Sequence, residues 1–262
     1  MQPVPQSPHH DGRRYYRCRR CHSISLFPLP RHEENLFFED EATAAEMASI
    51  DEGRTAMLQR RLRLAGGPPR PGARLLDIGC ATGRLLALAR KAAWDVVGID
   101  LSAALIARAE SAVPGAPLYC ADFMAMDVLE LGRFDAILAL DVLEHVLAPR
   151  EFLDRAASLL NPGGRLVIQT PNADSLRARL HRGSWNMLIP EYHFHLVSLA
   201  GLQCLLNDAG FGSMVITTAS GSGLETGWRA VLASATERAL AATKSGNALL
   251  ASCTRLPSPA TG

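Results

Sequence analysis

The stretch Ala73–Gly83, ARLLDIGCATG, runs through the helical LLALARKAA into Trp94–Ser102, WDVVGIDLS, and decides the fold. It spells a buried strand, a glycine-bearing turn, a helix, and a second strand that ends on Asp100. Asp100 falls about twenty residues after the turn, where nucleotide-binding α/β units place the carboxylate that meets a ribose hydroxyl pair. The turn's glycines, Gly79 and Gly83, are spaced G-x-x-x-G, and no G-x-G-x-x-G is present. That longer fingerprint lets backbone N–H groups approach a pyrophosphate at a helix N-terminus. Here a carboxylate, Asp77, stands at the strand end, where it repels phosphate and suits a cationic group. The ligand is therefore read as ribose-bearing and cationic, not as a dinucleotide.

Outward from this unit the alternation continues. Leu118–Ala121 reads as a third strand leading to Asp122 and Phe123. Phe134–Val146, FDAILALDVLEHV, is a fourth, with its polar residues gathered at the carboxyl end. Leu159–Asn172, LLNPGGRLVIQTPN, ends a helix on Asn-Pro-Gly-Gly and supplies a fifth. Strands alternating with helical patterns indicate parallel pairing with right-handed crossovers. Such open sheets bind ligands at the carboxyl ends of their strands, near the switch in strand order. Asp77, Asp100, Asp122 and Asp141 each lie at or near such an end, which makes one site of four scattered aspartates. Further on, Ser198–Phe211 reads as a helix capped by Ser198 and closed at Gly210, ahead of a strand Ser213–Ala219. A helix is expected between Leu224 and Thr243, and Asn247–Arg255 reads as a final strand.

From Ala73 to Phe211 the chain resembles the class I S-adenosylmethionine-dependent methyltransferases, segment by segment. The resemblance implies a doubly wound, mostly parallel seven-stranded α/β sheet of the Rossmann-like methyltransferase type, with the Asn247–Arg255 strand antiparallel inside it. It implies S-adenosylmethionine as cofactor, with Asp77, Gly79, Cys80 and Gly83 at the methionyl end. Asp100 and Leu101 fall at the ribose, and Asp122 and Phe123 at adenine, with core packing the competing reading of Phe123. Asp141 faces either the methionyl group or the acceptor.

Methyl transfer from a sulfonium needs alignment, exclusion of water and, for a hydroxyl acceptor, a base. The candidates are His145, which follows Glu144 in DVLEHV, and His193 and His195 in PEYHFHL, within the long Ala173–His195 segment. DVLEHV resembles the corresponding segment of ubiquinone-type and other small-molecule O-methyltransferases. Asp141, Glu144, His145 and a later histidine could also form a hard-ion site, partly resembling small-RNA 2′-O-methyltransferases, whose pattern begins with Glu where this chain has Asp141. On that departure no metal ligand is assigned.

The chain has 262 residues, a 48% hydrophobic content and a net charge of +1, which fits one main domain with no global drive toward nucleic acid or acidic membranes. The run Arg13, Arg14, Arg17, Arg19 and Arg20, interleaved with Tyr15 and Tyr16, reads as a solvated charge cluster in preference to an RNA-binding patch. No apolar run spans a bilayer and the N-terminus lacks a secretory core, so a cytoplasmic location and reduced thiols are expected. Residues 1–38 read as an arm without strand or helix period. Around Cys18 and Cys21 the arm resembles half of the zinc ribbon that precedes some bacterial methyltransferases, two of the four ligands a ribbon needs. Residues 39–72 form a helical segment, broken near Gly53, and a Gly-Pro linker, and 73–262 the cofactor-binding domain. The resulting expectation is O-methylation of a small molecule, a natural product, quinone or sugar. The alternatives are a non-catalytic cofactor-binding module and an RNA methyltransferase.

Overall fold

The computed structural model describes residues 1–31, 54–219 and 242–257. At its centre is a seven-stranded sheet built from β4 (Arg74–Ile78), β5 (Asp95–Asp100), β6 (Leu118–Cys120), β7 (Phe134–Leu140), β8 (Leu160–Pro171), β10 (Phe211–Ala219) and β11 (Ala248–Arg255). Their spatial order is β10-β11-β8-β7-β4-β5-β6, so the order reverses between β4 and β7. Pairing is parallel from β6 through to β8, while β11 runs antiparallel between β8 and β10.

Strands β4 and β7 are apolar along nearly their whole length because both faces are covered; Leu75, Leu76, Ala136, Ile137 and Leu138 are fully buried. The crossovers include α2 (Arg84–Lys91), α3 (Ala103–Ala112) and α4 (Pro149–Leu159), which bury Leu86, Ala109 and Phe152 against the sheet. Ahead of β4, α1 (Thr55–Leu64) buries Met57, Leu58 and Leu62. After β8 come the short α5 (Leu176–His181) and then α6 (Leu199–Asp208), where the Ser198 hydroxyl accepts from Gly201 N.

The expected strands and their order are present, with shifted edges. The Asn-Pro-Gly-Gly turn lies inside β8, whose pairing with β7 changes register between Phe134 and Ala136. The helix expected at Leu224–Thr243 and the Gly53 break lie outside the described residues, apart from the helix's last two positions.

Residues 1–27, in which the sequence shows no period, supply three strands: β1 (Gln2–Pro3), β2 (Arg14–Arg17) and β3 (Ile24–Phe27). With β9 (His195–Leu196) they form a second, antiparallel sheet in the order β1-β2-β3-β9. Strands of two to four residues are too short to display a two-residue period. Their core joins Tyr15, Ile24 and Leu26 to Trp185, Leu188 and Phe194 of the long segment after β8. The arginine cluster is partly absorbed too: Arg17 donates to the carbonyls of His22 and Ala173.

Candidate cofactor and acceptor site

After β4 the chain turns through Gly79, at φ +74°, where a Cβ would lie 2.6 Å from the Val142 side chain. Gly83, at φ +72°, begins α2 so close to α3 that a Cβ would meet that of Ala109 at 2.9 Å. Both positions therefore demand glycine, one for the turn and one for helix packing. The turn hangs on the end of β5: Gly79 N and Cys80 N both donate to Ile99 O. Ala81 N donates to Asp100 Oδ2 at 2.8 Å, and Ser102 N to Asp100 Oδ1 at 2.9 Å. A carboxylate has about four acceptor positions, so Asp100 keeps capacity for hydroxyl donors. Its burial pushes the carboxyl pKa up, and the backbone donors of Ser102, Ala81 and Leu101 oppose that. Asp77 is buried at the carboxyl end of β4.

Two of the residues expected at the cofactor, Cys80 and Phe123, bury their side chains. Cys80 is buried, with its sulfur 2.9 Å from where a Cβ on Gly98 would stand, so its side chain serves the core and only its backbone belongs to the turn. Phe123 is 5% exposed and packs edge-to-face on Phe152 at 5.3 Å, with the Arg155 guanidinium 5.5 Å from its ring centre. The ring therefore packs into the core against α4. Asp122 stays at the strand end, accepting from Met124 N. Leu101, beside Asp100, is 38% exposed and available to an apolar ligand face.

Across the reversal in strand order, Asp141 follows directly on β7, a non-glycine residue at φ +57°, which marks a constrained backbone. Gln169 Nε2 donates to both Asp141 oxygens at 3.0 Å while its Oε1 accepts from the buried Arg61 Nε at 2.7 Å. Arg54 lies 3.6 Å from the same carboxylate. Thus α1 reaches the crevice through Arg61 and its N-cap Arg54. The sequence reading missed Arg54, Arg61 and Gln169; the one available signal was a glutamine inside the otherwise apolar run LVIQ.

Next, the 3-10 turn Leu143–His145 turns Glu144 inward, 2% exposed, where its Oε2 accepts from Thr170 Oγ1 at 2.9 Å. Burial, and then the Asp141 charge, push the Glu144 pKa well above the ordinary carboxylate range. His145 Nδ1 lies 2.7 Å from Tyr192 O, and His193 Nδ1 lies 2.7 Å from Met187 O. The two rings stand 4.9 Å apart. Burial first, then the neighbouring His193, pushes His145 down to about 3, and burial lowers His193 as well. Both imidazoles are neutral near pH 7. A carbonyl can only accept, so each Nδ1 carries the proton and each Nε2 the lone pair.

His195 does not join them. Its Nδ1 meets Ser25 Oγ on β3 at 3.0 Å and its Nε2 meets Leu147 O, just past the Leu143–His145 turn, at 3.2 Å, so both nitrogens hold β9 in place. His193 and His195, both candidates in PEYHFHL, are separated because the chain enters β9 at His195. What fixes His193 is the N-terminal sheet: the buried Tyr15 hydroxyl donates to His193 O at 2.7 Å.

A doubly wound sheet with an antiparallel strand inserted near one edge, and acidic residues converging at the strand-order reversal, is the architecture of the Rossmann-like methyltransferases. The chain matches the model of the methyltransferase-domain family over residues 50–213 and belongs to that family. Among curated proteins it is similar to ubiquinone biosynthesis O-methyltransferases. One from Nitrobacter winogradskyi is 44% identical over 105 residues, 38% of this chain and 40% of that protein. One from Xanthomonas euvesicatoria is 31% identical over 145 residues, 53% of this chain and 57% of that protein. The chain thus spans about two fifths to three fifths of the length of the curated relatives it matches.

Among solved structures, the S-adenosylmethionine-dependent methyltransferase from Archaeoglobus fulgidus is 18% identical with a TM-score of 0.56, covering 77% of this chain and 92% of that one. The plantazolicin methyltransferase BamL is 16% identical with a TM-score of 0.60, covering 86% and 95%. These likenesses establish the fold. No helix among the described residues is long and apolar enough to cross a membrane.

Proposed function

We propose that the protein transfers a methyl group from S-adenosylmethionine to an oxygen of a small molecule, with quinone-type phenols the first acceptors to test. The observation that carries this reading is the division of the crevice into two chemically different halves. On one side the Gly79–Gly83 turn is tied to Asp100, with Asp77 beside it, which suits a sulfonium ligand bearing a ribose. On the other, the His145 and His193 rings stand 4.9 Å apart, each with Nδ1–H given to a backbone carbonyl, which leaves the basic nitrogen at Nε2 and suits a hydroxyl acceptor. The cofactor residues in this reading are Asp77, Gly79, Gly83, Asp100, Leu101, Asp122 and Asp141. The acceptor residues are Glu144, His145 and His193. Similarity to the ubiquinone biosynthesis O-methyltransferases supports oxygen as the methylated atom.

Titration calorimetry with S-adenosylmethionine, followed by a methyl-release assay on a panel of phenols and other hydroxylated small molecules, tests the proposal. Saturable cofactor binding with turnover on at least one oxygen acceptor is the expected result. Binding without turnover on any acceptor would favour a non-catalytic module. Turnover on RNA, with a steep dependence of binding on salt, would favour the macromolecular alternative.

A further inference from the structure

We infer that Cys18 and Cys21 form a dithiol site that a small anionic disulfide oxidises to an intramolecular Cys18–Cys21 bond. The two residues bracket the turn that closes the β2–β3 hairpin. Cys18 N donates to Ser23 O at 2.8 Å and His22 N to Cys18 O at 3.0 Å, with His22 at φ +64°. Both cysteines are free thiols and partly exposed, so a small reagent can reach them.

The turn prepares the two sulfurs for different parts. The backbone N–H groups of Cys21 and Arg20, and then the Cys21 thiol, donate to Cys18 Sγ, which holds the Cys18 thiol below its ordinary range. The Cys21 thiol also lies 3.4 Å from Ser23 Oγ. Cys18 is thus the attacking thiolate and Cys21 the thiol that resolves. Cys204 on α6 shows the contrast, because its contact with Asp208 at 3.5 Å pushes its thiol up. Arg19 and Arg20, exposed between the two cysteines, favour an anionic reagent. A closed site for a structural metal needs four ligands, and among the described residues no third His, Cys, Asp or Glu closes on this pair to within 4.8 Å.

In the first step Cys18 Sγ attacks one sulfur of the reagent, the reagent's S–S bond breaks, and the departing thiolate takes a proton from solvent. Cys21 then gives up its proton and attacks Cys18 Sγ of the mixed disulfide, expelling the second small thiol. In sum, two electrons and two protons pass from the pair to the reagent.

The same turn is tied to the acceptor side of the crevice. Ser198 N donates to Ser23 Oγ at 3.1 Å and the Ser198 hydroxyl donates to Cys21 O. The residue that caps α6 therefore hangs on the cysteine turn, shortly after His193 and His195. This functional half rests on the methyltransferase reading: closing the Cys18–Cys21 bond reshapes the turn that holds Ser198, and turnover falls while S-adenosylmethionine affinity stays put.

The test uses the full chain, reduced, freed of reductant and incubated with glutathione disulfide, with the remaining thiols alkylated and mapped by mass spectrometry. Of the six cysteines, Cys18 and Cys21 should be lost together as one bond that dithiothreitol reverses. Iodoacetamide should alkylate Cys18 at pH 7 at least about tenfold faster than Cys204. Cys21→Ser should stop the reaction at the mixed disulfide on Cys18, and Cys204→Ser should leave it unchanged. Turnover of the oxidised chain should fall about fivefold, the equivalent of one lost hydrogen bond.

A mixed disulfide that persists on Cys18 of the unaltered chain overturns the inference, as does a bond to Cys204, a bond between two chains, or no oxidation by excess glutathione disulfide. Zinc held by Cys18 and Cys21 that blocks oxidation until a chelator removes it overturns it as well. A Cys18–Cys21 bond that leaves turnover unchanged overturns the functional half alone. A chain that forms the bond and binds no S-adenosylmethionine upholds the dithiol site and defeats the methyltransferase reading.

Discussion

The two halves of the crevice are built by different means. The cofactor half is local: the turn at Gly79–Gly83 and the end of β5 are joined through Ala81 N and Asp100, 19 residues apart. The acceptor half is assembled from distant parts of the chain. Tyr15 reaches His193 across 178 positions, Ser25 meets His195 across 170, and His145 meets Tyr192 across 47. A family shares the first half because one βαβ unit makes it, whereas the second varies with whatever segments are laid over the sheet. The fold neighbours illustrate the point: they include a phosphoethanolamine N-methyltransferase and the plantazolicin methyltransferase. One scaffold serves acceptors of different kinds.

The comparison breaks most visibly at Asp100. Asp100→Ala removes the carboxylate that joins the turn to β5, and cofactor affinity should fall by about 100- to 1,000-fold, since bonds to a charged acceptor are worth about 1.5–3 kcal/mol each. Unchanged affinity by calorimetry would mean that the local half does not hold the ribose. A pH titration sharpens the same point. Burial raises the Asp100 pKa above its ordinary 3.8, so the folded chain binds that proton more tightly than the unfolded one. Acid therefore removes the ribose acceptor as pH falls through the raised value, without destabilising the fold at this residue. Cofactor affinity should begin to decline above pH 3.8, and Asp100→Asn should flatten that decline.

Gln169 joins the halves, holding Asp141 on one side and Arg61 on the other. Gln169→Leu leaves Arg61 buried without this acceptor and releases Asp141, at a cost of about 2–4 kcal/mol in a denaturant melt. Both cofactor affinity and turnover should suffer. A variant that loses turnover alone would assign Asp141 to the acceptor half.

How much of this was legible follows from the same division. The order of β4, β5, β7 and β8 and the placement of Asp77 and Asp100 could be read because strand period, turn glycines and a fixed spacing are properties of short windows. Phe123 could not be assigned from its neighbours, since an aromatic residue at a strand end serves a ligand or the core equally well. The contact with Phe152 across the helix layer lies beyond any short window of sequence. His193 and His195 look equivalent in PEYHFHL, and only the pairing of β9 with β3 separates them. The N-terminal sheet was invisible for a related reason: its strands are too short for periodicity, and its core is completed by residues some 170 positions away, such as Phe194 against Leu26.

Tyr15→Phe tests whether that sheet serves the chemistry. It deletes one hydroxyl and leaves the His193 carbonyl buried without its donor, at a cost of about 1–2 kcal/mol. Turnover should fall by about tenfold, the rate equivalent of about 1.4 kcal/mol, while cofactor affinity stays put. A parallel fall in cofactor affinity would erase the distinction between the halves.

The smallest effect is expected at His195, and it tests the acceptor half from within. With Nε2–H donated to Leu147 O and Nδ1 accepting from Ser25, this imidazole has both nitrogens committed, and burial lowers its pKa so that it stays neutral. His195→Asn should lose about 1 kcal/mol of stability with the weakened bonds between β3 and β9. Turnover and its pH profile should stay within about twofold, because an imidazole engaged at both nitrogens has no lone pair to offer an acceptor. The same assay on His193→Gln, two residues earlier in the chain, should show a loss of at least ten times that size. If the two variants fall together, the strand pairing, and not the Nε2 of one ring, is what organises the acceptor side.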